Sequence, residues 1–244
     1  MKKKYYIQNC RDRLTKIEEP TILNINKIPN NPIREGGTRI KFLPEYKTFG
    51  FDMKRNYDDL LKVIESRAYQ IAAHTGVQVV FNGKILPVGD IQTFGKMFLP
   101  IDNMVHAILK GKYNWDVVIG VSLTGKFECI SIINGIHVKG GSHINYIRDL
   151  VINGIRVRAE RLLKKYRNYK KSMLQNNLFI LISGNIPNPQ FNSQTKETIG
   201  GSIEGYKQYT INKTILTKFW KIIEYKLVEL YLVKQNKTKK KSLI

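Results

Sequence analysis

Apolar residues along this chain follow two rhythms, and the places where the rhythm changes mark the elements. Leu178-Phe179-Ile180-Leu181-Ile182-Ser183 is a nearly unbroken apolar run, too short for an isolated helix. It reads as a strand buried on both faces. Trp115–Leu123 and Phe127–Ile133 read as two more strands, adjacent and joined around Thr124-Gly125. Val77–Phe81 and Lys84–Leu86 flank Asn82-Gly83, a dipeptide that suits the type I′ turn of a hairpin. Residues 3–8 predict one further strand, and Gly36-Gly37 opens another that runs to Leu43 and stops at Pro44.

Helical spacing fills the intervals. From Tyr57 to Ala73, the residues Leu60, Ile64, Ala68 and Ile71 share one face, with Asn56 as N-cap and Gly76 as stop. A short helical piece spans Ile91–Leu99. The longest helix begins at Ser142, its expected N-cap, and runs to about Arg167 with Ile144, Ile147, Val151, Ile155 and Leu162 inward. Gly154 interrupts it at about 1 kcal/mol relative to alanine. Ile211–Val233 is a second long helix, and the basic residues 234–244 predict a disordered tail. Strands and helices in this order make an α+β sandwich.

Charge changes the picture. Against 19 acidic residues stand 41 Lys and Arg, a net charge of +22 on 244 residues. Such a field suits a polyanion, with nucleic acid ahead of an anionic membrane surface. Codon bias toward lysine explains part of the excess but not its clustering. Arg156, Arg158, Arg161, Lys164, Lys165, Arg167, Lys170 and Lys171 crowd the end of the longest helix and the loop after it. They are either a solvated face complementing the helix dipole or a set of phosphate contacts. Cys10 and Cys129 fit no metal-ligand spacing and predict reduced structural thiols in an intracellular protein. There is no run of 18 apolar residues to span a membrane, and the basic start has no apolar core of a secretory signal.

The most informative segment follows the buried strand: Asn188-Pro189-Gln190-Phe191-Asn192-Ser193-Gln194-Thr195-Lys196-Glu197. Lys196 places one compact ammonium on a flexible stem, and Gln194 adds amide donors beside it. Elsewhere stand Val138-Lys139-Gly140-Gly141-Ser142-His143 before the long helix, Gly37-Thr38-Arg39-Ile40-Lys41-Phe42-Leu43-Pro44-Glu45, and Asn82-Gly83-Lys84 after a strand. In their order along the chain, from about Gly36 to Lys196, the four segments resemble type IIA DNA topoisomerases, the eukaryotic and large-virus branch more than the gyrase branch. The family usually has Thr where Ser142 stands. His143 is expected to be a locally satisfied helical residue rather than a nucleotide contact.

The resemblance implies a transducer region: a sheet covered by helices, with a left-handed β-α-β crossover between the strand before Asn134 and the strand at Leu178. General chirality rules alone give a right-handed one. It implies that residues 1–35 end an ATPase domain, that 36–233 form the transducer and that 234–244 are the tail. Gln194, Thr195 and Lys196 would contact the γ-phosphate of ATP, and Arg161, Lys164, Lys165, Lys170 and Lys171 would face duplex DNA. Neither a catalytic tyrosine nor an Asp-rich Mg2+ site is assigned in this chain. The nucleotide-cradling fold, the Mg2+ ligands and the cleavage domain would lie outside it, in a nuclear homodimeric enzyme, and the chain alone would be inactive. Two alternatives stay open: a basic nucleic-acid-binding module of similar fold, and the middle domain of another ATPase of the same superfamily.

Overall fold

The computed structural model describes residues 4–24, 37–164 and 171–241, and the chain divides into two compact units, 1–55 and 56–244. In the first unit, β1 (Lys4–Ile7) pairs antiparallel with β4 (Thr21–Asn24), and β2 (Cys10–Arg11) with β3 (Lys16–Ile17). The strand expected from Gly36 to Leu43 does not form over its described residues, 37–43. Residues 37–45 carry no regular structure, and Ile40, Phe42 and Leu43 are 80%, 78% and 91% exposed. A strand persists only where a neighbour takes its backbone donors and acceptors, and none does so here among the described residues.

The helix α1 (Met53–Thr75) leads into the second unit and outruns its predicted span at both ends. Asp52, not Asn56, caps it: its Oδ1 accepts from the Lys54 N–H at 2.9 Å. The predicted inward face is also corrected. Ile64 and Ile71 are exposed, and the helix meets the sheet through Ala72 and Ala73. Small side chains let the last turns approach closely, and that packing overrides the apolar count of the face. After α1 come β5 (Val80–Phe81) and β6 (Lys84–Ile85), joined by Asn82 and Gly83 at φ 48° and 76°, as the predicted I′ turn requires. Then α2 (Ile91–Gly95) starts on Asp90, whose carboxylate accepts from the Thr93 N–H at 2.6 Å.

Five strands form the central sheet: β7 (Met104–Leu109), β8 (Trp115–Val121), β9 (Glu128–Ile133), β10 (Ile136–Val138) and β12 (Leu178–Gly184), in the order β10-β9-β12-β8-β7. Periodicity does not mark β7, an edge strand whose alternation is broken by the half-buried His106 bonded to Asp116. Nor does it mark β10, which turns back from β9 through a second Asn-Gly pair, Asn134 and Gly135, both at positive φ. Between β10 and α3 (Ser142–Lys164) lies β11 (Gly140–Gly141); α4 (Lys171–Asn176) then precedes β12. β12 runs parallel to β9, Ile180 opposite Cys129, and antiparallel to β8, Ile180 opposite Ile119. The route β9–α3–β12 is thus a crossover between neighbouring parallel strands, in a mixed sheet of the predicted α+β class.

Both faces of β12 are covered. Leu178, Ile180 and Ile182 join Trp115, Val117 and Ile119 against α3 and α5 (Lys213–Lys241), where Ile147, Val151, Ile155, Phe219 and Ile223 are fully buried. Phe179, Leu181 and Val118 face Ala72, Ile91 and Phe94. Each such buried Ile, Leu or Phe contributes roughly 1.5–3 kcal/mol relative to exposure. Gly154 proves to be a packing residue: a Cβ there would press into Leu216 of α5. Ser142 does not cap α3; its hydroxyl reaches the Gly200 carbonyl and the Tyr206 hydroxyl, each at 3.4 Å. The expected disordered tail, 234–244, is helical over 234–241, and 242–244 lie outside the described residues. Helix α5 runs on to Lys241, since residues 234–241 contain neither Gly nor Pro to stop it.

Candidate functional site

Beyond β12 the chain is fastened to the sheet before it leaves it. Gly184 passes directly over the Trp115 indole, where a Cβ would collide. The Trp115 Nε1–H donates to the Asn185 carbonyl at 3.1 Å, while Tyr209 stacks on the indole with ring centroids 4.2 Å apart. The Asn134 side chain donates to the Ile186 carbonyl and accepts from the Ile186 N–H, both at 2.9 Å. These two clamps define where the next segment starts.

That segment is a small hairpin. The Gly200 N–H donates to the Gln190 carbonyl at 2.8 Å and the Asn192 N–H to the Thr198 carbonyl at 3.0 Å, around a Phe191–Ile199 antiparallel bridge. Its returning leg, β13 (Thr198–Ile199), also pairs in parallel with β11. The Lys139 and Gly140 N–H groups both donate to the Glu197 carbonyl, and the Lys139 ammonium lies 2.6 Å from the Glu197 carboxylate. The hydrogen bond from Lys139, and then its charge, hold that carboxyl below the usual carboxylate range.

Gln194, Thr195 and Lys196 form the tip, all three exposed. The Lys196 N–H closes a turn onto the Ser193 carbonyl at 3.1 Å, and the Ser193 and Thr195 hydroxyls bond at 2.7 Å. Lys196 sits at φ 56°, in the left-handed region, with its ammonium 5.8 Å from the Phe191 ring centroid. Three donor-bearing side chains on one exposed turn suit an oxyanion such as a phosphate. The residues that hold this tip (Trp115, Asn134, Lys139 and Glu197) are absent from the sequence-based site. Glu197 and Lys139 carried a signal as parts of two of the motifs, and Asn134 as the residue that ends the strand before the crossover.

His143 lies in the first turn of α3, as expected, but it is a core residue and is not satisfied locally. Its ring is fully buried edge-on to Trp115, with Nε2 2.8 Å from the Ser131 hydroxyl and Nδ1 without a partner. Burial lowers its pKa from 6.5 to about 4, so the ring is neutral. Burial likewise pushes the Cys129 thiol up to about 12, an unreactive structural thiol.

The basic cluster is described in part. Arg161 is exposed on α3, Lys164 is the last residue of that helix and Lys171 the first of α4, whereas Lys165 and Lys170 lie outside the described residues. Two neighbours have partners already: Arg156 pairs with Glu160 at 3.6 Å, and Arg158 donates to the Thr217 hydroxyl of α5 at 2.9 Å. Among the described residues no three His, Cys, Asp or Glu side chains gather to hold a metal ion, and no helix is long and apolar enough to cross a membrane.

The family described as DNA gyrase B matches residues 93–240. DNA topoisomerase 2 of Arabidopsis thaliana is 32% identical over 206 residues, covering 80% of this chain and 13% of that protein. DNA topoisomerase 2 of Saccharomyces cerevisiae is 30% identical over 221 residues, covering 82% of this chain and 15% of that protein. The chain therefore spans a small part of the length of these relatives. Among solved structures, the ATPase region of Saccharomyces cerevisiae topoisomerase II superposes with a TM-score of 0.72 at 25% identity, over 93% of this chain and 57% of that one. The ATPase and transducer domains of DNA topoisomerase II from Balamuthia mandrillaris superpose with a TM-score of 0.71 at 25% identity, over 96% and 59%. Sequence and fold agree on the kinship: the chain belongs to the DNA gyrase B family of type II DNA topoisomerases, alongside the eukaryotic DNA topoisomerase 2 proteins.

Proposed function

We propose that this chain is the part of an ATP-dependent type II DNA topoisomerase that reads the terminal phosphate of ATP and passes nucleotide state to the DNA gate. The full enzyme passes one duplex through a transient break in another. In it, residues 1–35 complete the ATPase domain, 36–233 act as transducer, and 234–244 extend beyond it. Lys196 places its ammonium on the γ-phosphate, with Gln194 and Thr195 as further donors. Loss of that phosphate on hydrolysis releases the tip, and the hairpin's ties to β9 and β10 carry the release into the central sheet.

The base and ribose sites, the Mg2+ ligands and the cleavage tyrosine belong to parts of a nuclear homodimer outside this chain, which alone does not turn over ATP. The second contact is with duplex DNA, through Arg161, Lys164, Lys165, Lys170 and Lys171, and it is made to phosphates without reading sequence. The net charge of +22 supports this.

The observation that carries the nucleotide role is the exposed hairpin tip, in which a lysine occupies a left-handed position that glycine would fill more cheaply. Its test joins the chain to its ATP-binding and cleavage domains and compares Lys196→Ala with wild type. Charge-assisted hydrogen bonds to phosphate are worth about 1.5–3 kcal/mol, so ATP turnover should fall about ten- to a hundredfold. Mg2+-dependent DNA cleavage should persist. Lys196→Arg should rescue incompletely, because a planar guanidinium approaches phosphate differently from an ammonium. Wild-type turnover in Lys196→Ala would contradict the proposal.

A further inference from the structure

We propose that Lys139 is a positioning residue for the hairpin tip, acting through Glu197. This rests on the phosphate-reading role of Lys196 and adds to it a residue from a distant part of the chain. Glu197 is the neighbour of Lys196, and a free carboxylate there would compete with phosphate for the ammonium. Instead its carboxylate lies 2.6 Å from the Lys139 ammonium, and its carbonyl accepts both the Lys139 and Gly140 N–H groups. One lysine thus holds the tip's returning leg by backbone and side chain together. Committed to Lys139, Glu197 leaves Lys196 with the Phe191 ring, 5.8 Å away, as its neighbour. A ring face holds an ammonium more weakly than a carboxylate would, so Lys196 remains available to a phosphate.

The strap also explains the geometry of the tip. Lys139 lies between β10 and β11, so its hold on Glu197 transmits the position of the sheet edge to the residue next to Lys196. The hairpin's other leg is held separately, by the Asn134 clamp on Ile186. Movement of the tip therefore meets the Lys139 strap on one leg and the Trp115 and Asn134 clamps before the other.

Two measurements test the strap, and their failures can be told apart. Hydrogen exchange on the full chain needs no nucleotide. Lys139→Met should speed exchange of the amides at 193–197 by about two- to fivefold, the range of an exposed ion pair, and Lys139→Arg should restore it. In the enzyme that carries the ATP-binding domain, Lys139→Met should lower kcat for ATP severalfold while leaving KM for ATP and the unfolding temperature unchanged. Unchanged exchange in Lys139→Met would overturn the strap. So would normal turnover in Lys139→Met beside impaired turnover in Lys196→Ala. Normal turnover in Lys196→Ala itself would overturn the phosphate-reading role, whatever the exchange rates show.

Discussion

Lys196 holds a backbone conformation that a side chain with a Cβ enters at a cost of about 1 kcal/mol or more. Replacing it with glycine should therefore raise the stability of the isolated chain by about 1 kcal/mol, read as a higher denaturant midpoint, while removing the ammonium. A lower midpoint would mean that the Lys196 side chain itself props the turn. His143 sets a second expectation. Its folded-state pKa of about 4 lies below the ordinary 6.5 because the ring is buried. The unfolded chain takes up this proton first as pH falls. The group's contribution is therefore complete above about pH 6.5 and is lost progressively toward pH 4, about 3 kcal/mol in all. His143→Gln should flatten the pH–stability curve over that interval, and a slope equal to wild type would show that the burial of this ring does not set it. At this scale the tip was legible in the sequence because its donors are contiguous. Lys139 and Glu197 lie 58 residues apart, and no local pattern announces that they meet.

Among the elements, those with strong periodicity were readable and those defined by partners were not. β12 and α3 match their apolar patterns because each is packed against neighbours that the pattern implies. The stretch 37–43 has an equally strong strand pattern and forms none, since a strand is a relation between two segments. β7 shows the reverse, a weak pattern made into a strand by its register with β8, Val105 opposite Ile119. Helix α1 shows that the apolar face of an isolated pattern and the face that packs can differ. The cationic junction from the end of α3 to the start of α4 carries its own expectation. The chain should bind duplex DNA without sequence preference, and its affinity should fall steeply with salt. Exchanging Lys164, Lys165, Lys170 and Lys171 for Gln should reduce the slope of log K against log salt by about 0.9 for each phosphate no longer neutralised. Anisotropy titrations over a salt series measure this, and an unchanged slope would leave the junction a solvated surface.

At the scale of the whole molecule, a five-stranded sheet is packed with helices on both faces, and the hairpin beyond it presents Gln194, Thr195 and Lys196 to solvent. The chain covers 13% of its Arabidopsis thaliana relative. Packed sheet, fastened hairpin and exposed donors are what the proposed sensing role requires. The most direct test is hydrogen exchange at residues 193–197 in the chain joined to its ATP-binding domain, comparing ADP with a non-hydrolysable ATP analogue at saturation. If Lys196 reads the terminal phosphate, the triphosphate protects these amides, the diphosphate does not, and Lys196→Ala abolishes the difference. Equal exchange with the two nucleotides in the wild-type protein would contradict the account.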